Sequence, residues 1–327
     1  MKPDEDRSIE TLIRLAGERE TPSAAASARA RLAAEQSWRR MLDEPAQRAR
    51  WRMPLVYAAA LGLAAIAIFC WTRRDAAAPA TVVARIVALE GSSTLRQGDS
   101  RLAAAPDAKV MSGSTLSTAD GRVAASFADA LSLRLNAKTA LRFDGHDRVT
   151  LLYGTLYVDS GGLNAGPPLT IATPAGDIRH VGTQFQVQVS GDTTRIRVRE
   201  GRVALRRDSR DETRLVAAGD ELEVLGDEEH WRHGLPFFGQ PWEWTASVAT
   251  ALAIDDRPMA EFLAWITREH GWQLHYSDEE VQNRTHAIRL HGSLDGLSSA
   301  AMLERVSLVT GIPLAVRDGV LWVGGLE

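Results

Sequence analysis

Between Arg85 and Leu225 hydrophobic and polar residues alternate with period two. Leu131, Leu133 and Leu135 are separated by polar residues, and "VTLLYGTLYV" carries Leu152 and Leu156 in one phase around Gly154. "TQFQVQV" puts Phe185, Val187 and Val189 on one face and Gln184, Gln186 and Gln188 on the other. "RIRVREGRVAL" repeats this with Ile196 and Val198, turns at Glu200-Gly201, and resumes with Val203 and Leu205. Successive strand side chains point to opposite faces, so the pattern predicts half-buried strands. Gly121, Gly154, Gly176, Gly182, Gly191, Gly201 and Gly219 punctuate these runs. Short strands at that spacing predict an all-β domain over residues 85–225, a sandwich or a β-roll.

Towards the C-terminus the period becomes helical and the chain repeats itself. With Gly271 placed on Gly311, "EFLAWITREHGWQLHY" lies over "AMLERVSLVTGIPLAV". Phe262, Leu263 and Ile266 then fall on Met302, Leu303 and Val306, and Leu274 and Tyr276 on Leu314 and Val316. Each copy reads as a helix, a glycine stop and a strand, with "VATALAI" and "HAIRLHG" as the strands ahead of the helices. The expectation is a small α+β domain of two βαβ repeats over residues 247–327. Between the two domains, residues 226–246 are Trp-rich. Trp231, Phe237, Phe238, Trp242 and Trp244 are expected to pack at the interdomain seam.

The most apolar run, "PLVYAAALGLAAIAIFCW" from Pro54 to Trp71, contains no charge. As a helix it is about 27 Å long, enough to cross a bilayer's hydrocarbon core, and it predicts a transmembrane helix over residues 54–72. The segment ahead of the run is far too long for a cleaved leader. Arg39, Arg40, Arg48, Arg50 and Arg52 precede the run and only Arg73 and Arg74 closely follow it. The excess of arginine on the N-terminal side places residues 1–53 in the cytoplasm. That segment reads as two short helices, with Leu12 on the first and Leu32, Trp38, Met41 and Leu42 on a stripe of the second. Helices this short bury little against each other, so the stripe invites a partner; a charged stalk is the other reading.

Composition narrows the function classes. The 327 residues exceed one ordinary core, and two to three domains are expected. A formal net charge of -4 gives no electrostatic reason for direct nucleic-acid binding. Cys70, the one cysteine, leaves no internal disulfide and no CxxC site. There is no GxGxxG, Walker loop, HExxH or GxSxG. His230 with His233, and His286 with His291, have no third ligand at a telling spacing. The sequence therefore predicts neither an enzyme nor a cofactor or metal site.

One set of residues carries a family resemblance. Thr173, Pro174, Gly176, Gly182, Thr183, Phe185, Val187, Val198, Glu200, Gly201 and Val203 spell "TPxG…GTxFxVxV…VxVxEGxV". This pattern resembles the central motif of the FecR domain, although each residue is also accounted for by turn and strand chemistry alone. "DxRPMAEFLAWI" and "VRDGVLWV" in the C-terminal repeat resemble the small STN domain. Together they resemble FecR-type transmembrane sigma-factor regulators of the bacterial inner membrane. The resemblance implies a cytoplasmic N-terminus that binds an extracytoplasmic-function sigma factor. It also implies a periplasmic C-terminus that receives a signal from the N-terminal signalling domain of a TonB-dependent outer-membrane receptor, often for iron uptake. Leu12, Leu32, Trp38, Met41 and Leu42 would then meet the sigma factor. Ile288, Arg289, Leu290 and His291 form the candidate receptor-docking edge, since an exposed strand accepts a partner strand. A reading of another class is a membrane-anchored periplasmic scaffold that binds an envelope protein or polysaccharide.

Overall fold

The computed structural model describes residues 25, 28, 29, 31–33, 36, 81–128, 131–161, 169–207, 212–250 and 252–325. The chain divides into two units, Met1–Ala78 and Pro79–Glu327. In the first, the described residues are helical. No helix among the described residues is long and apolar enough to cross a membrane, and the apolar run at 54–72 lies outside them.

In the second unit the alternating region forms one continuous sheet. Its strands are β1 (Val82–Glu90), β2 (Ser93–Gln97), β3 (Ser100–Ala103), β4 (Lys109–Met111) and β5 (Thr115–Thr118). There follow β6 (Arg122–Phe127), β7 (Leu131–Leu135), β8 (Ala140–Phe143), β9 (Arg148–Asp159) and β10 (Thr170–Thr173). The last five are β11 (Gly176–Ser190), β12 (Thr193–Arg207), β13 (Glu212–Ala217), β14 (Glu221–Leu225) and β15 (Glu228–Arg232). Strand β9 is the junction. Its first half runs between β8 and β10, and its second half between β7 and β11. One branch continues β7-β6-β1-β4, another β8-β5-β2-β3, and the third leads through β12 to β14 and β15. Inward residues of all three branches share one core, among them Phe127, Leu133, Phe143, Phe185 and Ile196. The all-β expectation is met by a roll made of a single branched sheet.

Three details differ from the sequence pattern, and each has a local cause. Leu152 does not point inward with Leu156: Leu151 is buried and Leu152 exposed. The β8–β9 register slips between Leu151 and Tyr153, and Gly154 follows at φ +92°, so the inward phase moves by one residue. Glu200-Gly201 is a bulge within β12 and not a turn, because β11 and β12 pair on both sides of it. Gly201 has φ +77°, and a Cβ there would sit 2.3 Å from the Gly182 carbonyl oxygen, so no larger residue fits. Residues 228–232, expected in the connector, extend the sheet as β15 beside β14.

The connector then enters α1 (Gln240–Ala246), with Pro241 in its first turn. The C-terminal part comprises β16 (Arg257–Pro258), α2 (Met259–His270), β17 (Gln273–Tyr276), α3 (Glu279–Ala287), β18 (Arg289–Leu290), α4 (Ser299–Thr310), β19 (Leu314–Arg317) and β20 (Val320–Val323). Both repeated helices are twelve residues long and end on a left-handed glycine, Gly271 at φ 68° and Gly311 at φ 67°. Met259, Phe262, Leu263 and Ile266 of α2 pack with Met302, Leu303 and Val306 of α4 in a second core.

The two βαβ repeats are not formed. The described residues between Val248 and Ile254 contribute no strand, and the strand ahead of α2 is the short β16. That strand pairs antiparallel with β18, while β17, β20 and β19 make a separate three-stranded sheet. The strands flanking each repeated helix therefore lie in different sheets. Helix α3, capped by the Asp278 side chain on the Val281 N–H at 2.8 Å, separates β17 from β18. Ala287, expected in the docking strand, closes this helix.

Candidate functional site

The first candidate is the edge around β18. Ile288, Arg289, Leu290 and His291 line one groove of about 440 Å³ with Ile254, Leu294, Arg305, Val306 and Val309. Among the described residues β18 pairs only with β16. Of the four, Leu290 is a core residue and not a presented one, at 5% exposure. Arg289 donates from Nη1 to the Asp256 carbonyl at 2.5 Å, and His291 Nδ1 lies 3.6 Å from Asp255. The groove thus has an apolar floor and mixed charges on its rim. The Met259 N–H, the first of α2, donates to the carbonyl of the lining residue Ile288 at 2.8 Å.

The second candidate is a seam that sequence reasoning placed only through its tryptophans. Here α1 and the last turn of α2 lie on the polar face of β7, β9, β11 and β12. Arg134, between Leu133 and Leu135, forms a two-pronged pair with Glu269 at 2.6 and 2.9 Å. The same guanidinium donates to the Thr245 carbonyl at 3.0 Å. Arg268 reaches Asp159 at 2.6 Å and Glu200 at 2.5 Å. The Arg199 Nη1 donates to the Glu269 carbonyl at 3.1 Å, and Gln184 Nε2 approaches the Arg268 carbonyl at 3.5 Å. Two of the last carbonyls of α2 are thereby met by side-chain donors, one of them a cation, as suits the negative end of a helix.

Aromatic rings close the seam. The Arg199 guanidinium lies over Trp242 at 4.4 Å, and Tyr157 meets Trp242 and Trp244 edge to face. Trp244 Nε1 donates to Gln186 Oε1 at 3.1 Å. Gln184 and Gln186, outward in the strand pattern, are buried beneath these helices. Trp231 sits elsewhere, on β15 and stacked on His233.

Burial alone would lower the pKa of Arg134, but the charge and hydrogen bonds of Glu269 outweigh it and hold it raised. Burial likewise works against ionised Asp159, yet Arg268 and the Gly161 N–H keep its pKa below the ordinary value. For Arg199 burial dominates and the pKa is lowered; for Tyr157 burial raises it. The Tyr157 hydroxyl is the side-chain group that most opposes this lowering at Arg199, and Arg134 Nε is buried with no hydrogen-bond partner.

The remaining sequence candidates divide as follows. Leu12, Trp38, Met41 and Leu42 lie outside the described residues; Leu32 is helical and 58% exposed. Thr173, Pro174 and Gly176 make the β10–β11 turn, with Thr173 Oγ1 donating to the Gly176 carbonyl at 2.9 Å. Gly182 and Gly201 build the bulge, Phe185 and Val187 fill the core, and Thr183 is buried. Glu200 also holds Arg268 across the seam. The described residues hold no cluster of three metal-ligating side chains.

Residues 114–204 match the family model described as FecR protein. The match lies within the branched sheet, from the loop ahead of β5 into β12. Two crystal structures of a candidate anti-sigma factor from Parabacteroides distasonis ATCC 8503 are similar to the chain. Each is 16% identical, covers 65% of this chain and 99% of that one, and has a TM-score of 0.34. None of the curated proteins matches.

Proposed function

We propose that this chain is a sigma-factor regulator anchored by one membrane helix. The observation that carries the reading is the FecR match at 114–204, placed behind the apolar run at 54–72. Residues 1–53 bind an extracytoplasmic-function sigma factor through Leu12, Leu32, Trp38, Met41 and Leu42. Residues beyond 72 lie across the bacterial inner membrane, in the periplasm. There the groove at Ile288–His291 receives the signalling domain of a TonB-dependent receptor. The open edge of β18, the apolar groove floor and the exposure of Leu32 support this assignment. A periplasmic partner shifts the cytoplasmic segment only if it binds two states of the chain unequally.

The test is co-purification from membranes of the full chain with each sigma factor of the same cell, repeated with Trp38→Ala and Leu42→Ala. Capture of one sigma factor that is lost in both variants is expected. A chain that is intact in the membrane and captures none overturns the reading in favour of a periplasmic scaffold.

A further inference from the structure

We infer that the seam between the branched sheet and the C-terminal part is a separable joint, closed by the last turn of α2, and that its opening is the step that communicates events at the β18 groove. The relay half of this inference rests on the groove being the docking edge; the separability of the seam does not.

Three observations carry it. The two hydrophobic cores are distinct, and of the large apolar side chains only Tyr157 and the connector's Trp242 and Trp244 pack across the seam. Besides the Tyr157 and Trp242 rings, α2 is held to the sheet by charge: Arg134 with Glu269, and Arg268 with Asp159 and Glu200. Buried ion pairs fix one geometry while adding little net stability, because each ion gives up its hydration. The seam also confines the Arg199 guanidinium, whose pKa burial lowers, and Arg134 Nε, which has no hydrogen-bond partner there. Opening returns these groups to water, so their desolvation favours the undocked state.

Helix α2 supplies the connection. Its first N–H is bonded to Ile288 at the groove, and its last three residues include Arg268 and Glu269 at the seam. Twelve residues make a rod of about 18 Å. Gly271, just beyond it, sits so close to the connector that a Cβ would lie 2.1 Å from the Phe237 carbonyl oxygen. A shift at the groove end of such a rod displaces its seam end, where the contacts are specific and polar.

The test uses the full chain in detergent, with Cys70→Ser and spin labels at Ser100→Cys on β3 and Glu304→Cys on α4. The unsubstituted seam should give one narrow distance. Glu269→Gln, and separately Arg268→Ala, should raise a longer-distance population by roughly tenfold or more, as expected when a buried ion loses its partner. The double variant Arg134→Met with Glu269→Met should restore the single distance. Hydrogen exchange on the same samples should keep Phe262 and Leu263 protected while the Met259 amide exchanges faster. A single narrow distance in both single variants overturns the joint. Loss of protection at Phe262 and Leu263 also overturns it, since the seam would then be part of the C-terminal core. An opened seam with Met259 still fully protected overturns the relay. No receptor or sigma factor is in the sample, so these outcomes are independent of the test of the proposed function.

Discussion

Arg134 and Glu269, 135 residues apart in sequence, meet as a two-pronged ion pair with side chains only 3% and 10% exposed. Removing one partner leaves the other buried and uncompensated, at about 3–5 kcal/mol. Arg134→Ala should therefore lower unfolding stability by up to about that much, less what opening of the seam relieves. Replacing both by methionine should cost far less, because the desolvation penalty goes with the charges. Urea unfolding of the two variants decides this: equal losses would mean that the pair itself, and not the orphaned charge, supports the fold.

Why was the sheet legible in the sequence and the seam not? Leu131, Leu133 and Leu135, or Phe185, Val187 and Val189, reveal an inward face because alternation depends only on the strand's own period. The opposite face of the same strands carries Arg134, Gln184 and Gln186, which read as solvated because polar residues usually are. Only their contacts with Glu269, Asp159 and Trp244 show otherwise, and those partners come from distant positions. The tryptophans of the connector were the legible half of the seam: Trp242 and Trp244 do lie there. Helix α3 escaped because Thr285 is its only fully buried residue, which leaves no apolar stripe to find. Without α3, the repeat around Gly271 and Gly311 suggested βαβ units that the chain does not form.

Gly201 and Gly191 both have positive φ, at +77° and +57°, but only Gly201 is enclosed. A left-handed backbone costs a non-glycine residue about 1–3 kcal/mol. Gly191→Ala should lose about that or less, since nothing lies within 4 Å of its added Cβ. Gly201→Ala should lose more, because the methyl group meets the Gly182 carbonyl and the Thr183 side chain. Thermal unfolding should rank the two in that order. The reverse ranking would show that the bulge is not a fixed feature of the β11–β12 pair.

Acidification should weaken the fold through His180 and His270. Burial lowers the pKa of both below their ordinary 6.5; for His270, Arg199 and Arg134 add to the effect and Glu269 opposes it. A lowered folded pKa means that the unfolded chain binds protons more readily, so stability falls as pH drops through about 6.5 and levels off below the folded value. His180 stacks on Phe185 at 6.1 Å, and its ring nitrogens are buried without partners. His180→Phe should flatten part of this decline when urea midpoints are compared between about pH 7.5 and pH 5. An unchanged slope would show that His180 gains its proton equally in both states.

The groove at β18 gives the last prediction and shows which substitution tests it cleanly. Proline at Ile288 would weaken a strand edge, but the Ile288 N–H is bonded to the Arg284 carbonyl at 2.9 Å and closes α3. Proline at Leu290 would alter a side chain of the core. Both changes would therefore confuse partner binding with folding. Val309 is different: it lines the groove from α4 yet is 76% exposed. Val309→Asp should lower stability by no more than about 1 kcal/mol, because the site is exposed and the only cost is a carboxylate in the last turn of α4. A partner that seats an apolar segment in the groove must then desolvate a carboxylate there, which should weaken binding at least about tenfold. Calorimetric titration of the signalling domain of the proposed receptor partner into the variant and the unsubstituted chain measures the difference. Equal affinities with an unchanged unfolding midpoint would move the docking edge away from β18.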